Sequence, residues 1–148
     1  MTGQDLLLGE RQDLIRRKLD LSGRVIAAEL AQELRRNQQN NIRLQRNPDG
    51  TAFEARRVTA RSKKGRIKRQ MFAKLRTTKY LKTAASADSA SVEFAGQVQR
   101  IARVHHYGLR DRVSRKGPEV RYVERRLLGF DTKTQSNIIE IILKLFSV

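Results

Sequence analysis

The chain has no cysteine and no tryptophan, only two prolines, and 15 acidic residues against 32 lysines and arginines. Without cysteine there are no disulfides, no thiolate zinc sites and no cysteine nucleophile, which suits a reducing compartment. Aromatic residues make up 5% of the sequence and fall mostly at core-like positions, so stacking platforms for single-stranded nucleic acid are not evident. The most apolar run, near the C-terminus, covers about 15 residues, short of the roughly 20 that a membrane-spanning helix needs. The N-terminus lacks a basic region followed by an apolar run and a cleavage site, so no secretory leader is expected.

Catalytic residues are as scarce. His105 and His106 are the two histidines. Adjacent histidines point apart on a helix, unlike the i, i+4 pair that brackets zinc, and nothing else completes a tetrahedral site. Neither histidine stands beside a nucleophile on a sharp turn, and no Gly-rich loop ends in Lys-Ser or Lys-Thr. We expect no catalytic residue, no cofactor and no metal. One histidine should pack against the core and the other should face solvent.

What the chain has in excess is positive charge, formally +17. That implies an anionic partner (nucleic acid, an acidic protein surface or anionic lipid), although a soluble protein with long basic loops has the same composition. At 148 residues the chain reads as one domain, 1–148, long enough to bury a core. From Glu54 to Lys82 twelve basic residues face a single acid, and the part to about Gly65 cannot bury enough apolar surface to offset its ordering. A second basic stretch covers 109–119. The loops at about 54–66 and 109–119 supply the candidate contacts with a partner or DNA: Arg56, Arg57, Lys63, Lys64, Arg66, Arg112, Arg115 and Lys116. They offer phosphate contact with no base-reading motif.

Taken in order, residues 4–19 fit a short amphipathic helix, and Ser22 opens a second with Val25, Ile26, Leu30 and Leu34 on one face. Its polar continuation meets a stop at Asn47-Pro48-Asp49-Gly50, where proline and the Asp-Gly step suit a tight turn, with Phe53 as an anchor beyond it. Met71, Phe72 and Leu75 suggest a short helix. Val92 and Phe94 alternate with Ser91 and Glu93 in the second strand of a hairpin turning at Asp88-Ser89. Residues 97–107 return to helical spacing, ended by Gly108, and residues 120–123 alternate as a short strand.

The last 24 residues look like the organising element. Gly129 permits a sharp change of direction, and Asp131 is placed to cap the following helix. Beyond it Ile138, Ile139, Ile141, Ile142, Leu143, Leu145 and Phe146 cover most of the circumference, so this reads as a core helix with a second face available to another subunit. Leu128, Gly129, Phe130, Ile138, Ile142, Leu145 and Phe146 are the packing candidates. The fold class is α+β: a small antiparallel sheet, made of the hairpin plus a short strand, packed with several helices including a long N-terminal helix and an apolar C-terminal helix.

Several stretches together resemble the phage virion morphogenesis family, which includes the tail completion proteins of contractile-tailed temperate phages. They are Arg43-Leu44-Gln45-Arg46-Asn47-Pro48-Asp49-Gly50-Thr51-Ala52-Phe53, the basic segment, the Ala-Ser hairpin, Ile101-Ala102-Arg103-Val104-His105-His106-Tyr107-Gly108 and Arg126-Leu127-Leu128-Gly129-Phe130-Asp131. The resemblance implies a non-enzymatic virion protein at the tail neck, assembled in the host cytoplasm. It further implies a homo-oligomeric ring, six-fold, that terminates the tail and allows head–tail joining. Its implied neighbours are the tail tube and sheath, the head-completion or connector proteins, and the DNA end, with no membrane. The reading that composition alone leaves open is a small basic nucleic-acid-binding protein without sequence preference.

Overall fold

The structure, a computed structural model, describes residues 3–57 and 69–146, with side chains described for all of these except 3–9, 19, 145 and 146. It is α+β. Helix α1 (Gly3–Arg43) is followed by strands β1 (Leu81–Ala85) and β2 (Ala90–Phe94), helix α2 (Gly96–Tyr107), strands β3 (Arg110–Arg112) and β4 (Glu119–Arg121), and helix α3 (Thr132–Phe146).

The two N-terminal helices expected from the pattern are one. A single glycine costs a helix only about 1 kcal/mol, less than a break would, and no proline interrupts the run. Gly23 has a tertiary reason to be there: a Cβ at this position would strike the carbonyl oxygen of Ala87, at the hairpin tip. At about 1.5 Å per residue α1 runs roughly 60 Å. Ala27, Ala31, Leu34, Gln38, Asn41 and Ile42 bury one face of its C-terminal half. The helix ends in a Schellman arrangement, with Arg46 N–H bonded to the Asn41 carbonyl and Gln45 N–H to that of Ile42. Gln45 takes the left-handed position usually held by glycine (φ 54°), and its side-chain amide donates to the carbonyls of Ile42 and Met71.

The core gathers Ile42, Phe53, Leu75, Leu81, Phe94, Val98, Ala102 and Leu127. β1 and β2 pair antiparallel with Leu81 opposite Phe94 and Ala85 opposite Ala90, as the alternation of Val92 and Phe94 requires. Met71 and Phe72 do pack against this core, but 71–76 form turns where a helix was expected. Phe72 is left-handed (φ 65°), which interrupts helical geometry and turns its ring between Phe53 and His105, at centroid distances of 5.9 and 5.0 Å.

Two further expectations are corrected. The short strand does not extend the hairpin: β4 pairs with β3, inside what was read as the second basic loop, and makes a separate two-stranded ribbon. Arg-Asp-Arg carries no apolar alternation to announce β3, whereas β4 falls where the alternation of 120–123 places a strand. Nor is α3 a core helix; of its described side chains only Thr134 and Ile141 are buried. The first basic loop lies largely outside the described residues.

Candidate assembly surface

The segment from Tyr122 to Asp131 has no regular structure, yet most of its backbone is held by named partners. Tyr122 N–H donates to the Leu109 carbonyl and Arg125 N–H to that of His105. Arg126 N–H donates to Asn47 Oδ1 at 2.8 Å. The Leu127 and Leu128 amides converge on His106 Nδ1 at 3.2 and 3.5 Å. Gly129 is held at both its N–H and its C=O by the side chain of Gln38. Asp131 then caps α3, accepting from Thr134 N–H at 2.6 Å. An irregular strap satisfied in this way can be placed as firmly as a strand.

Arg125 is 6% exposed and holds the strap from beneath. Its Nε and Nη2 donate to the carbonyls of Glu54 and Ala55 at 2.9 and 3.1 Å. Burial lowers its pKa from the ordinary arginine value; Glu54 opposes the shift and Arg56 adds to it.

Both histidines are half-buried, which corrects the expectation of one packed and one exposed. His105 stacks edge-on between Phe72 and Tyr122, while His106 accepts from the strap. Burial pushes both below the usual imidazole value, assisted by Arg125 at His105 and by Arg126 at His106. Among the described residues no group of three or more His, Asp or Glu is arranged to hold a metal ion.

The strap delivers α3 onto α1 with Thr134, Asn137 and Ile141 inward. Asn137 donates to Glu33 Oε1 at 3.1 Å, and Thr134 is fully buried. Thr134 Oγ1 and, on α1, Asn41 Nδ2 are buried beside the Asp131 carboxylate, whose pKa burial raises and their contacts lower. Ile141 is the one buried apolar side chain described on α3. On the outward side Ile139 (56% exposed), Ile142 and Leu143 (59%) form an apolar face at i, i+3, i+4 spacing. The inward side of α3 is therefore mixed, Thr134 and Asn137 beside Ile138 and Ile141, and an apolar patch remains on its outward side.

Of the packing candidates, Leu128, Gly129 and Ile138 are half-buried, Ile142 is exposed and Phe130 is 63% exposed. The side chains of Leu145 and Phe146 lie outside the described residues. Leu128, Gly129 and Phe130 line an open groove of about 740 Å³ together with Leu34, Val92 and Tyr107. A second exposed apolar stripe was missed by sequence reading. Leu14, Leu21 and Val25 recur on α1 at seven- and four-residue spacing, and Leu21 and Val25 line a groove with Ile141 of α3. That spacing was the available signal, and it was absorbed into an assumed core-facing helix.

Among the basic candidates, Arg57, Arg112, Arg115 and Lys116 are exposed, and Arg56 is half-buried with Nη1 on the Arg69 carbonyl at 3.2 Å. Arg112, Arg115 and Lys116 share the β3–β4 ribbon and its turn, where the structure adds Arg110 and Arg121. Lys63, Lys64 and Arg66 lie outside the described residues. No described helix is long and apolar enough to cross a membrane.

No solved structure matches this chain. Among curated proteins it is similar to Tail completion protein S of Escherichia phage P2, 43% identical over 122 residues that make up 81% of each chain. The model of the phage virion morphogenesis family matches residues 11–147, nearly the whole sequence, and the chain belongs to that family.

Proposed function

We propose that this chain is a structural virion protein that completes the phage tail at its head-proximal end, acting by assembly and not by catalysis. Copies associate into a closed ring, six-fold, that terminates the tail tube and sheath and receives the head-completion or connector proteins, after assembly in the host cytoplasm. The relative named for tail completion supports the tail role. The observation that carries self-assembly is the outward apolar face of α3. Ile139, Ile142 and Leu143 lie on a helix whose inward side is already taken up by Thr134, Asn137 and Ile141, and an outward face of this kind leaves hydrocarbon exposed to water. Leu128, Gly129, Phe130 and Ile138 sit at the foot of the same helix, and Leu145 and Phe146 continue it. The basic candidates Arg56, Arg57, Lys63, Lys64, Arg66, Arg112, Arg115 and Lys116 meet anionic partners in the neck. A primary role as a small nucleic-acid-binding protein finds no support in the family to which the chain belongs.

The experiment is native mass spectrometry of the nuclease-treated protein over rising salt, beside Ile139→Asp/Leu143→Asp. The wild type should form closed rings that persist in high salt, and the variant should remain folded and monomeric. In the phage, the variant should yield separate heads and tails. A wild-type protein that stays monomeric both alone and on tail tips would overturn the ring, and a variant that still joins heads to tails would overturn the assignment of α3.

A further inference from the structure

The β3–β4 ribbon contains an electrostatic conflict. Its register sets Arg110 directly opposite Arg121 and Arg112 opposite Glu119. The bonds from Val113 N–H to the Pro118 carbonyl and from Tyr122 N–H to the Leu109 carbonyl fix the pairing pattern. Arg110 and Arg121 therefore occupy a non-hydrogen-bonded position, where cross-strand side chains stand closest, with Cα atoms about 4.5 Å apart. Like charges directly opposite one another destabilise a ribbon. Neither arginine has a carboxylate within ion-pairing distance among the described residues, and Arg112 does not pair with Glu119. The one acid of β3, Asp111, is on the other face, where Arg100 of α2 takes it.

The ribbon is nonetheless held in place. Gly117 N–H bonds the Ser114 carbonyl, and a Cβ on Gly117 would meet Ser114 Oγ at 2.5 Å and Val113 Cγ2 at 2.7 Å, so the turn is close-packed. Arg115 and Lys116 occupy its two corners, both exposed. The result is an ordered, solvent-facing row of cations.

We infer that this face of the ribbon binds the phosphodiester backbone of duplex DNA. Arg110 and Arg121 straddle one phosphate, and Arg112, Arg115 and Lys116 reach its neighbours. The phosphate supplies the charge that the pair lacks, and paired guanidinium groups match its oxygens. Charge complementarity selects a polyanion. DNA is favoured over an acidic protein surface because the residues sharing this face, Arg110, Arg112, Glu119 and Arg121, include no apolar anchor, whereas the centre of a protein interface is depleted in charge and rich in apolar and aromatic groups. The inference rests on the neck reading only in placing DNA within reach; the binding itself is a property of the isolated protein.

The test is fluorescence anisotropy of a labelled random duplex of about 20 base pairs, titrated with nuclease-treated protein at several salt concentrations, with poly-glutamate as a second probe. The wild type should bind duplexes of different sequence alike, with affinity falling as salt rises. Arg110→Gln/Arg121→Gln should lower affinity about tenfold or more and flatten the salt slope by about two charges. Its melting temperature should be equal to or above that of the wild type, because the repulsion is gone. Arg115→Gln/Lys116→Gln, which touches no strand pairing, should flatten the slope similarly. Wild-type affinity in both variants would overturn the site, as would binding of poly-glutamate but not duplex. So would a paired loss of melting temperature and binding in the strand variant while the turn variant binds normally. None of these results bears on ring formation, which is measured without DNA.

Discussion

The side-chain amide of Gln38 forms a two-bond pair with one glycine 91 residues away. Its Nε2 donates to the Gly129 carbonyl at 2.7 Å, and its Oε1 accepts from the Gly129 amide at 3.0 Å. The side chain thereby does for the strap what a neighbouring strand would do, and it fixes where α3 begins. Gln38 is 3% exposed, so water does not stand in readily.

Replacing Gln38 should therefore cost more than its packing. Gln38→Met keeps most of the volume but strands both backbone groups, for an expected loss of about 2 kcal/mol or more. Urea denaturation measures it. A loss below about 0.5 kcal/mol would mean that the strap finds other partners.

Gly129→Ala should be destabilising by about 1–3 kcal/mol, the usual range for overpacking. The added Cβ would lie 2.5 Å from Pro48 Cγ and 2.9 Å from its Cβ. The clash names its own rescue: in a Pro48→Gly background the same change should cost less by about 1 kcal/mol, a coupling typical of residues in contact. Additive costs would point to the Gly129 backbone instead.

This glycine also shows what the sequence discloses. That a glycine is needed at 129 was legible, but the reason was not: its φ is not positive, and Pro48 passes too close for a side chain. Signals that act over a few residues were read well. The hairpin, the Gly108 end of α2, the Asp131 cap and the turn after α1 all follow from local chemistry. What depended on distant partners was hidden. The break expected before Ser22 is absent, and the reason for Gly23, the close approach of Ala87, lies 64 residues away. Phe72 looked helical because nothing in its neighbours reveals a left-handed backbone. The apolar residues of α3 cover most of its circumference, so the pattern could not say which side faces in; Asn137 turns inward to Glu33 of α1, and Thr134 is buried beside the Asp131 cap. On the candidate surface, Arg112, Arg115 and Lys116 stand out from composition as a basic loop, Ile142 and Phe130 were expected to pack and are exposed, and Arg110 and Arg121 needed the register.

Stability should fall as the pH drops below about 6.5. In the unfolded chain both histidines protonate near that value, while in the fold burial and the neighbouring arginines hold their pKa lower. The unfolded state thus binds more protons in the window between the ordinary and the lowered values. The contribution is fully present above about pH 6.5, is lost as pH falls through the folded values, and then levels off. Asp131 acts in a separate, more acidic window: burial raises its pKa, but the hydrogen bonds from Thr134 outweigh this and the net shift is downward. His106→Asn keeps an acceptor near the position of Nδ1 and removes one titration, so its urea midpoint should decline less steeply between about pH 6.5 and 5. An unchanged slope would remove His106 from the account.

Adjacent isoleucines on α3 should separate folding from assembly. Ile141 is 8% exposed, and Ile141→Ala should cost about 2–4 kcal/mol of monomer stability through lost burial and the cavity left behind. Ile142 is 39% exposed on the other side of the helix, so Ile142→Ala should change monomer stability by no more than about 0.5 kcal/mol. The same substitution should weaken self-association, because its methyl groups are covered only when another molecule lies on that face. Urea denaturation at a concentration where the protein is monomeric reads the first quantity, and native mass spectrometry at rising concentration reads the second. If Ile142→Ala destabilised the monomer as much as Ile141→Ala and left association intact, the outward face of α3 would belong to the fold of one chain and not to its assembly.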